Sequence, residues 1–545
     1  MKNQFTKRVV SLVLVVTLVC TGMFVPKNET TVQAAKKASL KTKKITLTVG
    51  KKKTIKLKNK KKGAKYTFKV KKASVAKVSK KGVVTAKKAG KTEITVKEKR
   101  KKKTRTVGKV KVTVKKKRSV PSVTPAPEVT PTPIPSQPTP ENPTQATPTP
   151  GTPAGPFKLT DEIYAKFISK SVFSTGNNAR IKKVIEKARA GEDVTLAYIG
   201  GSITEGALAK PNSNCYASVS AKAFGEKYGK NGGENVHYVN AGMSGTPSSL
   251  GIIRYDRDVL GQMTTGDHPD ILFIEFAVND YGECTKGGAY EGLIRRALES
   301  GSAVFLVFSI FQSGRVMEST YKPYGTHYDL PMVSMGDAIQ NYFSRQGFKN
   351  WYFGDSLHPN NTGHKLMSDC IMETIDRIDK EAVEEENAVP APINTDAYTN
   401  TKFLSKTSEI SDVITEIDAG GFNKTDSNTG VYQYPYNGKT GVAWFPENWM
   451  HTESSGSASF KATVQCKTLM VIYKFSSSQK TGSADLYVDG KKVKTLNGYQ
   501  TDGWNNASTE IVFNDKAAAT HKIEVKMAAG SENKEFTLMG FGYAN

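Results

Sequence analysis

Beyond Phe157 the chain repeats one pattern: a short, mostly apolar run, then a stretch long enough for an amphipathic helix. VTLAYIG (194–200), VHYVN (236–240), ILFIEF (271–276), AVFLVFS (303–309) and NWYF (350–353) are the strand candidates. Helical stretches lie near 214–228, 249–262, 288–300 and 331–345, with a last one after Asn360. A strand that is apolar on both faces needs cover on both, so the alternation predicts a parallel sheet between two helical layers over residues 157–385. Ligands then bind at the carboxyl ends of the strands.

The full 545 residues exceed what one hydrophobic core can organise, and the flanking segments differ sharply in composition. Lys2, Lys7 and Arg8 precede an apolar run from Val9 to Val25, and Val32-Gln33-Ala34 offers a small-residue cleavage site. That is the pattern of a signal peptide over 1–34, so the expected location is extracellular, secreted or wall-associated, with no membrane-spanning segment left after cleavage. A formal charge of +29 would suggest a nucleic-acid binder if it were spread along the chain. It is concentrated instead: residues 36–118 hold 36 Lys and Arg against Glu93 and Glu98. In that module ITLTV (45–49), TIKLK (54–58), TFKV (67–70) and TEITV (92–96) alternate at period two between KKG or KAG turns, which predicts a small β-sandwich. Its expected partners are cell-wall polyanions, held by salt-screened attraction, with a plain spacer role as the equal alternative. No nucleic-acid-binding motif accompanies the charge.

Residues 119–156 are dominated by Pro and Thr, a composition that favours an extended tether. A second linker is expected at 386–395, inside the acidic, proline-containing break EAVEEENAVPAP (381–392). Residues 396–545 read as a second, jelly-roll-like β-sandwich, because LYVDGKKVKTL (486–496) sets Asp489-Gly490 between alternating runs and EIVF, HKIEV and FTLMGFGY continue the strand pattern. Tyr432, Tyr434, Tyr436, Trp444, Phe445 and Trp449 crowd one stretch of it, as sugar-stacking platforms or as an aromatic core. Cys215, Cys284, Cys370 and Cys466 are too scattered for a disulfide framework and read as buried thiols.

Groups that could carry chemistry stand at the ends of several strand candidates. Gly200-Gly201-Ser202-Ile203-Thr204-Glu205-Gly206 puts a serine on a tight turn, although Ser202-x-x-Glu205 is also a helix capping box. Asn240-Ala241-Gly242-Met243-Ser244-Gly245 offers glycine N–H groups, and Ala277-Val278-Asn279-Asp280 offers an amide. Asp355-Ser356-Leu357-His358-Pro359 supplies a carboxylate and an imidazole three residues apart. Each has a plainer alternative: Asn279-Asp280 as a turn, Gly245 as packing, Asp355 as the cap of the last helix.

Together the four blocks resemble the SGNH, or GDSL, hydrolase superfamily over about residues 194–380, and ASVAKVSKKGVVTAKKAGKTEITV resembles the bacterial immunoglobulin-like (Big) domains. The first resemblance implies a flavodoxin-like three-layer α/β fold with Ser202 as nucleophile, His358 as base and Asp355 orienting it. It also assigns the oxyanion hole to Gly245, Asn279 and the backbone N–H of Ser202. Gly201 stands where the family usually has Asp, and Ala277 where it usually has Gly, departures that bear on subfamily more than on activity. A serine hydroxyl needs a base to take its proton, and a neutral imidazole held by a carboxylate serves. No cofactor is expected and no metal, because His358 and His364 fit no standard zinc spacing and His364 is expected on a helix surface.

The superfamily covers lipases, thioesterases and carbohydrate esterases. Export argues against acyl-CoA, and the pairing with a β-sandwich resembles carbohydrate acetylesterases. The expectation is a secreted serine esterase that removes O-acetyl groups from polysaccharide, xylan or mannan ahead of peptidoglycan, through an acyl-enzyme. A lysophospholipase or lipase, and a non-enzymatic wall-bound glycan-binding protein, are the alternatives.

Overall fold

The computed structural model describes residues 38–40, 44–48, 52–59, 64–79, 82–100, 103–115, 156–314 and 317–545. The signal-peptide reading of 1–34, and all but the last residue of the Pro/Thr-rich segment 119–156, lie outside the described residues. The chain divides into two compact units, Met1–Pro143 and Thr144–Asn545.

In the first unit, one sheet runs Lys44–Thr48, Lys103–Lys115, Gly90–Arg100, Lys65–Val70 and a second runs Lys52–Thr54, Val83–Ala86, Ala76–Val78. Period two sorts the side chains: Ile94, Val96, Val110, Val112 and Val114 are buried, while Lys97, Lys109 and Lys111 beside them face solvent. TIKLK does not form one strand. Ile55 is buried, and Leu57–Lys58 turns away to pair with Ser39–Leu40.

The second unit opens with a six-stranded sheet ordered Val172–Ser174, Met332–Ser334, Ala303–Phe308, Ile271–Glu275, Val194–Gly200, Val236–Gly242. Five strands are parallel, in the flavodoxin-like order, and Val172–Ser174 joins antiparallel at the edge. Two apolar clusters pack on its opposite faces, one with Ala197, Leu272, Ile274 and Leu306, the other with Leu196, Tyr198, Phe273 and Phe305.

Three sequence expectations fail here. NWYF lies at the end of a helix, Phe348–Tyr352, because its aromatic residues fit a helical face: Phe348, edge-on, and Trp351, tilted, both pack on Phe157, at 4.9 and 5.3 Å between ring centres. The fifth parallel strand is instead Met332–Ser334, which, with the short helix Met335–Ile339, replaces the helix expected over 331–345. The stretch expected helical over 249–262 is a short helix, Ser248–Ile253, and a π-turn, Asp256–Leu260.

Beyond the last long helix, Asn361–Lys380, an eight-stranded antiparallel assembly begins. Its centre is the long strand pair Phe460–Ser476 and Trp504–Met527, and the Asp489-Gly490 hairpin joins Ser483–Val488 to Lys491–Asn497 with both turn residues at positive φ (51° and 78°). The aromatic stretch is core, not an open platform: Tyr432, Tyr434, Trp444, Phe445 and Trp449 are all buried. The three tyrosines of the stretch, Tyr432, Tyr434 and the partly buried Tyr436, seal the β-region onto the α/β domain. Tyr432 and Tyr436 donate to the Asp258 carboxylate at 3.1 and 3.0 Å, and Tyr434 donates to the Gly242 carbonyl at 3.1 Å. Burial pushes the Asp258 carboxyl up, but the Arg257 and Arg254 guanidiniums outweigh it and hold the group below the usual range.

Candidate active site

Strand Val194–Gly200 ends on Gly201, and Ser202 opens a single helical turn that Gly206 closes with φ +97°. The capping box does not form. Ser202 makes no cap hydrogen bond; its Oγ lies 2.8 Å from His358 Nε2. His358 Nδ1 lies 2.7 Å from Asp355 Oδ2, while the other carboxylate oxygen accepts from the backbone N–H groups of Leu357 (2.8 Å) and His358 (2.6 Å). These bonds fix the loop as one short turn, closed further by the Gly354 N–H donating to the His358 carbonyl at 2.9 Å. Burial acts to raise the Asp355 carboxyl, but the hydrogen bonds from His358 and the backbone prevail and hold it below the ordinary range, as a carboxylate. The last helix has its own cap in Asn360, whose Oδ1 accepts from Thr362 and Gly363, so Asp355 is not that cap.

Strand Val236–Gly242 runs beside Val194–Gly200 with Gly242 opposite Gly200. The loop after it reaches Gly245 at φ +69°, a conformation that glycine adopts without strain. Asn279 comes from the loop after Ile271–Glu275 and packs on Gly201 so closely that a Cβ there would stand 2.1 Å from its Oδ1 and 2.4 Å from its Nδ2. Hence the glycine where the resemblance leads one to expect Asp: any side chain would displace the amide. Asp280 anchors the same loop, accepting from the Ser248 N–H (2.7 Å) and the Tyr321 hydroxyl (2.6 Å). The structure thus gathers Ser202, Gly245, Asn279, Asp355 and His358 at the carboxyl edge of the sheet. This arrangement can shuttle a proton from a hydroxyl to an imidazole and present N–H groups to an adjacent oxyanion.

Four contributors were not legible as such. Glu205 gave a signal, but as a cap; Asp280 gave one only by following Asn279. Trp504 gave none: it comes from the β-region, is half exposed, and lies against Gly245, where a Cβ would stand 2.7 Å from its ring. His364 was expected on the surface and is fully buried, its Nε2 3.2 Å from the Ala207 carbonyl and its Nδ1 accepting from the Tyr216 N–H at 3.3 Å. It holds the chain just beyond the Ser202 turn. Of the cysteines, Cys215, Cys370 and Cys466 are buried and Cys284 only partly so.

Burial pushes the His364 imidazole down to about 4 from 6.5, so the fold takes up the neutral ring. Its contribution to stability is whole above pH 6.5, where the unfolded chain is also neutral, and is lost as pH falls towards 4, because only the unfolded chain gains the proton. The stability advantage of the natural protein over His364→Gln should therefore shrink by about 3 kcal/mol between pH 6.5 and 4. Urea titrations of both proteins across that range measure it, and parallel pH slopes would contradict it.

Residues 198–366 match the model of the GDSL-like Lipase/Acylhydrolase family. Among solved structures, the chain is similar to a two-domain esterase (CEX) active on acetylated mannans, at 25% identity and a TM-score of 0.59 over 69% of this chain and 99% of that one. A second structure of a two-domain esterase (CEX) active on acetylated mannans, co-crystallised with mannopentaose, gives 25% identity and a TM-score of 0.58 over 69% and 98%. No curated protein matches the chain. The α/β domain that brings Ser202 to His358 is a GDSL-like lipase/acylhydrolase domain, and the chain that carries it is an ester-hydrolysing enzyme.

Proposed function

We propose that the protein is an exported serine esterase that removes O-acetyl groups from polysaccharide, with acetylated mannan ahead of xylan. The observation that carries the reading is the continuous relay of Ser202 Oγ, His358 and Asp355 at 2.8 and 2.7 Å. In the first step His358 Nε2 takes the Ser202 proton as Oγ attacks the acetyl carbonyl carbon. The oxyanion accepts from the backbone N–H groups of Ser202 and Gly245 and the Asn279 side chain. Collapse breaks the bond to the sugar oxygen, which leaves with the proton from His358; water, deprotonated by the same imidazole, then releases acetate from the acyl-serine. Asp355, held as a carboxylate, keeps the imidazole oriented through both steps. Mannan is placed first because the similar two-domain esterase is active on acetylated mannans.

Ser202→Ala should abolish hydrolysis of p-nitrophenyl acetate, and Gly201→Ala, by pushing Asn279 away, should lower kcat about 100-fold, the loss typical of one oxyanion donor. Turnover that survives Ser202→Ala, or a preference for octanoyl over acetyl esters, overturns the reading.

Trp504 supplies the sugar platform in this proposal. Its half-exposed indole stands edge-on to buried Trp444, ring centres 5.5 Å apart, and rests on Gly245, so a sugar stacked on it lies beside the reacting carbonyl. Trp504→Ala should raise KM for acetylated manno-oligosaccharides about 3- to 10-fold, as the loss of one aromatic contact does. For p-nitrophenyl acetate KM should change little, and equal changes for both substrates would refute the assignment.

The basic unit is proposed to hold the enzyme on anionic glycan through one face. Across its four-stranded sheet Lys44 pairs with Lys111 and Lys65 with Lys99, and Lys69 and Lys109 flank Thr95. Like charges directly opposite are unfavourable unless an anion lies over them. Lys44, Lys69, Lys97 and Lys111 replaced together by Thr should elute from heparin at lower salt than the protein with Lys53, Lys77, Lys87 and Lys88 replaced, though both lose equal charge. Co-elution would mean that net charge alone acts.

A further inference from the structure

Glu205 lies three residues after the nucleophile, is completely buried, and makes none of the bonds that its capping-box position suggests. Its Oε2 accepts from the Ser244 N–H at 2.9 Å and from the Ser244 hydroxyl in a second, shorter contact. Its Oε1 accepts from the Gln433 N–H, at 3.2 Å, in the tyrosine-rich loop of the β-region. One carboxylate thus joins three segments: the turn that bears Ser202, the loop that ends in Gly245, and a domain more than two hundred residues away. The contact is tight by construction. Gly242 packs on the Glu205 backbone so closely that a Cβ would stand 2.2 Å from its nitrogen, which leaves the helix turn no room to shift independently of the strand end.

Two further contacts from the β-region fall on the same four residues. Tyr434, the neighbour of Gln433, donates to the Gly242 carbonyl at 3.1 Å, and Trp504 rests on Gly245. Residues 242–245 therefore touch the β-region at their first residue, through Glu205 at the third, and at the last.

We propose that Glu205 is a positioning residue through which the β-region sets the oxyanion loop, so that the β-region is a working part of the catalytic centre and not an appended module. The proposal rests on the oxyanion role given to Gly245 above. Desolvating a carboxylate completely is costly unless its acceptors are filled, and here the donors that fill them come from the loops to be aligned. The carboxylate is thereby bound to both at once. If either is displaced, a buried acceptor is left open.

Glu205→Gln keeps the size of the side chain but has one acceptor oxygen and turns an amide N–H toward the other set of donors. It must give up either Ser244 or Gln433. With p-nitrophenyl acetate as substrate, kcat should fall about 10- to 100-fold while KM changes less than about 3-fold, the signature of an interaction felt in the transition state. Ser244→Ala should lower kcat less, and the double variant should be no worse than Glu205→Gln alone, because the two residues act in series. Tyr434→Phe, which removes only the hydroxyl on Gly242, should also lower kcat on this small substrate.

Thermal melts of each variant separate loss of alignment from loss of fold, since the predicted kcat losses should appear in protein that melts within a few degrees of the natural one. Multiplicative effects of Glu205→Gln and Ser244→Ala, or unchanged kcat in both Glu205→Gln and Tyr434→Phe, would overturn the proposal. If the natural protein itself shows no Ser202-dependent turnover, it is the esterase reading that fails, and the two outcomes are told apart by that control.

Discussion

The contact between the Ser202 hydroxyl and His358 Nε2 joins residues 156 positions apart, and most of the α/β domain can be understood as what makes it hold. A parallel sheet delivers every strand's carboxyl end to one edge, so a serine after one strand and an imidazole before the last helix meet without a long loop. Buried Arg254 pins that edge. Its guanidinium donates to the Gly200 carbonyl at 3.0 Å and to the Ala241 carbonyl at 2.6 Å, tying the strand that precedes Ser202 to its neighbour where their ladder ends. Asp258, paired with Arg254 at 3.1 Å, supplies the counter-charge and also receives two tyrosine hydroxyls of the β-region. A lone buried cation would be strongly destabilising, so this pair makes the edge and the domain junction depend on the same charge balance.

Asp355 carries its negative charge at the rim of the site. Asp355 is stabilised as a carboxylate by three donors at a partly exposed position. Deeper in, burial pushes both Glu275 and Asp280 up to about 7, the charge of Asp280 adding to the shift of Glu275 and that of Glu283 to the shift of Asp280. Glu275 accepts from Thr204 beneath the Ser202 turn, and Asp280 secures the loop that carries Asn279. For both groups the folded pKa lies above the unfolded value, so their contribution to stability is whole at acid pH and is lost as pH rises through about 7. His364 has the opposite dependence, weakening the fold as pH falls from 6.5 toward 4. Across about pH 4 to 7 the buried frame of the site is therefore pulled in opposite directions by its acids and its histidine, and the histidine offsets part of what the two acids lose as pH rises.

What the sequence made legible follows the range of the interactions involved. Three of the five strand candidates, 194–200, 271–276 and 303–309, were visible because a doubly covered strand is apolar almost throughout, whereas VHYVN is a sheet edge with Tyr238 exposed. Asp355 and His358 were visible because their bond closes within three residues. NWYF misled because its aromatic residues satisfy a helix as well as a strand, and only the packing of Phe348 and Trp351 around Phe157 decides. Met332–Ser334 is too short to carry a period. Glu205 was hidden behind a local alternative, since S-x-x-E serves a helix cap equally well until a distant Ser244 and Gln433 claim the carboxylate. Trp504 carried no signal at all. Nothing near it in sequence marks it, and its place on Gly245 exists only once two domains have docked.

The aromatic stretch from Tyr432 to Trp449 teaches the same lesson from the other side. Aromatic density alone does not separate a sugar platform from a domain seal, because both need large flat rings with a polar tip. The hydroxyls decide. Tyr432, Tyr434 and Tyr436 spend theirs on Asp258 and the Gly242 carbonyl, partners inside the protein, and their rings are packed away from solvent. A tyrosine committed in this way cannot rotate to meet a ligand without opening a buried carboxylate. Trp504, half exposed and with its edge on Trp444, keeps the freedom that its neighbours have given up, and it keeps it beside Gly245.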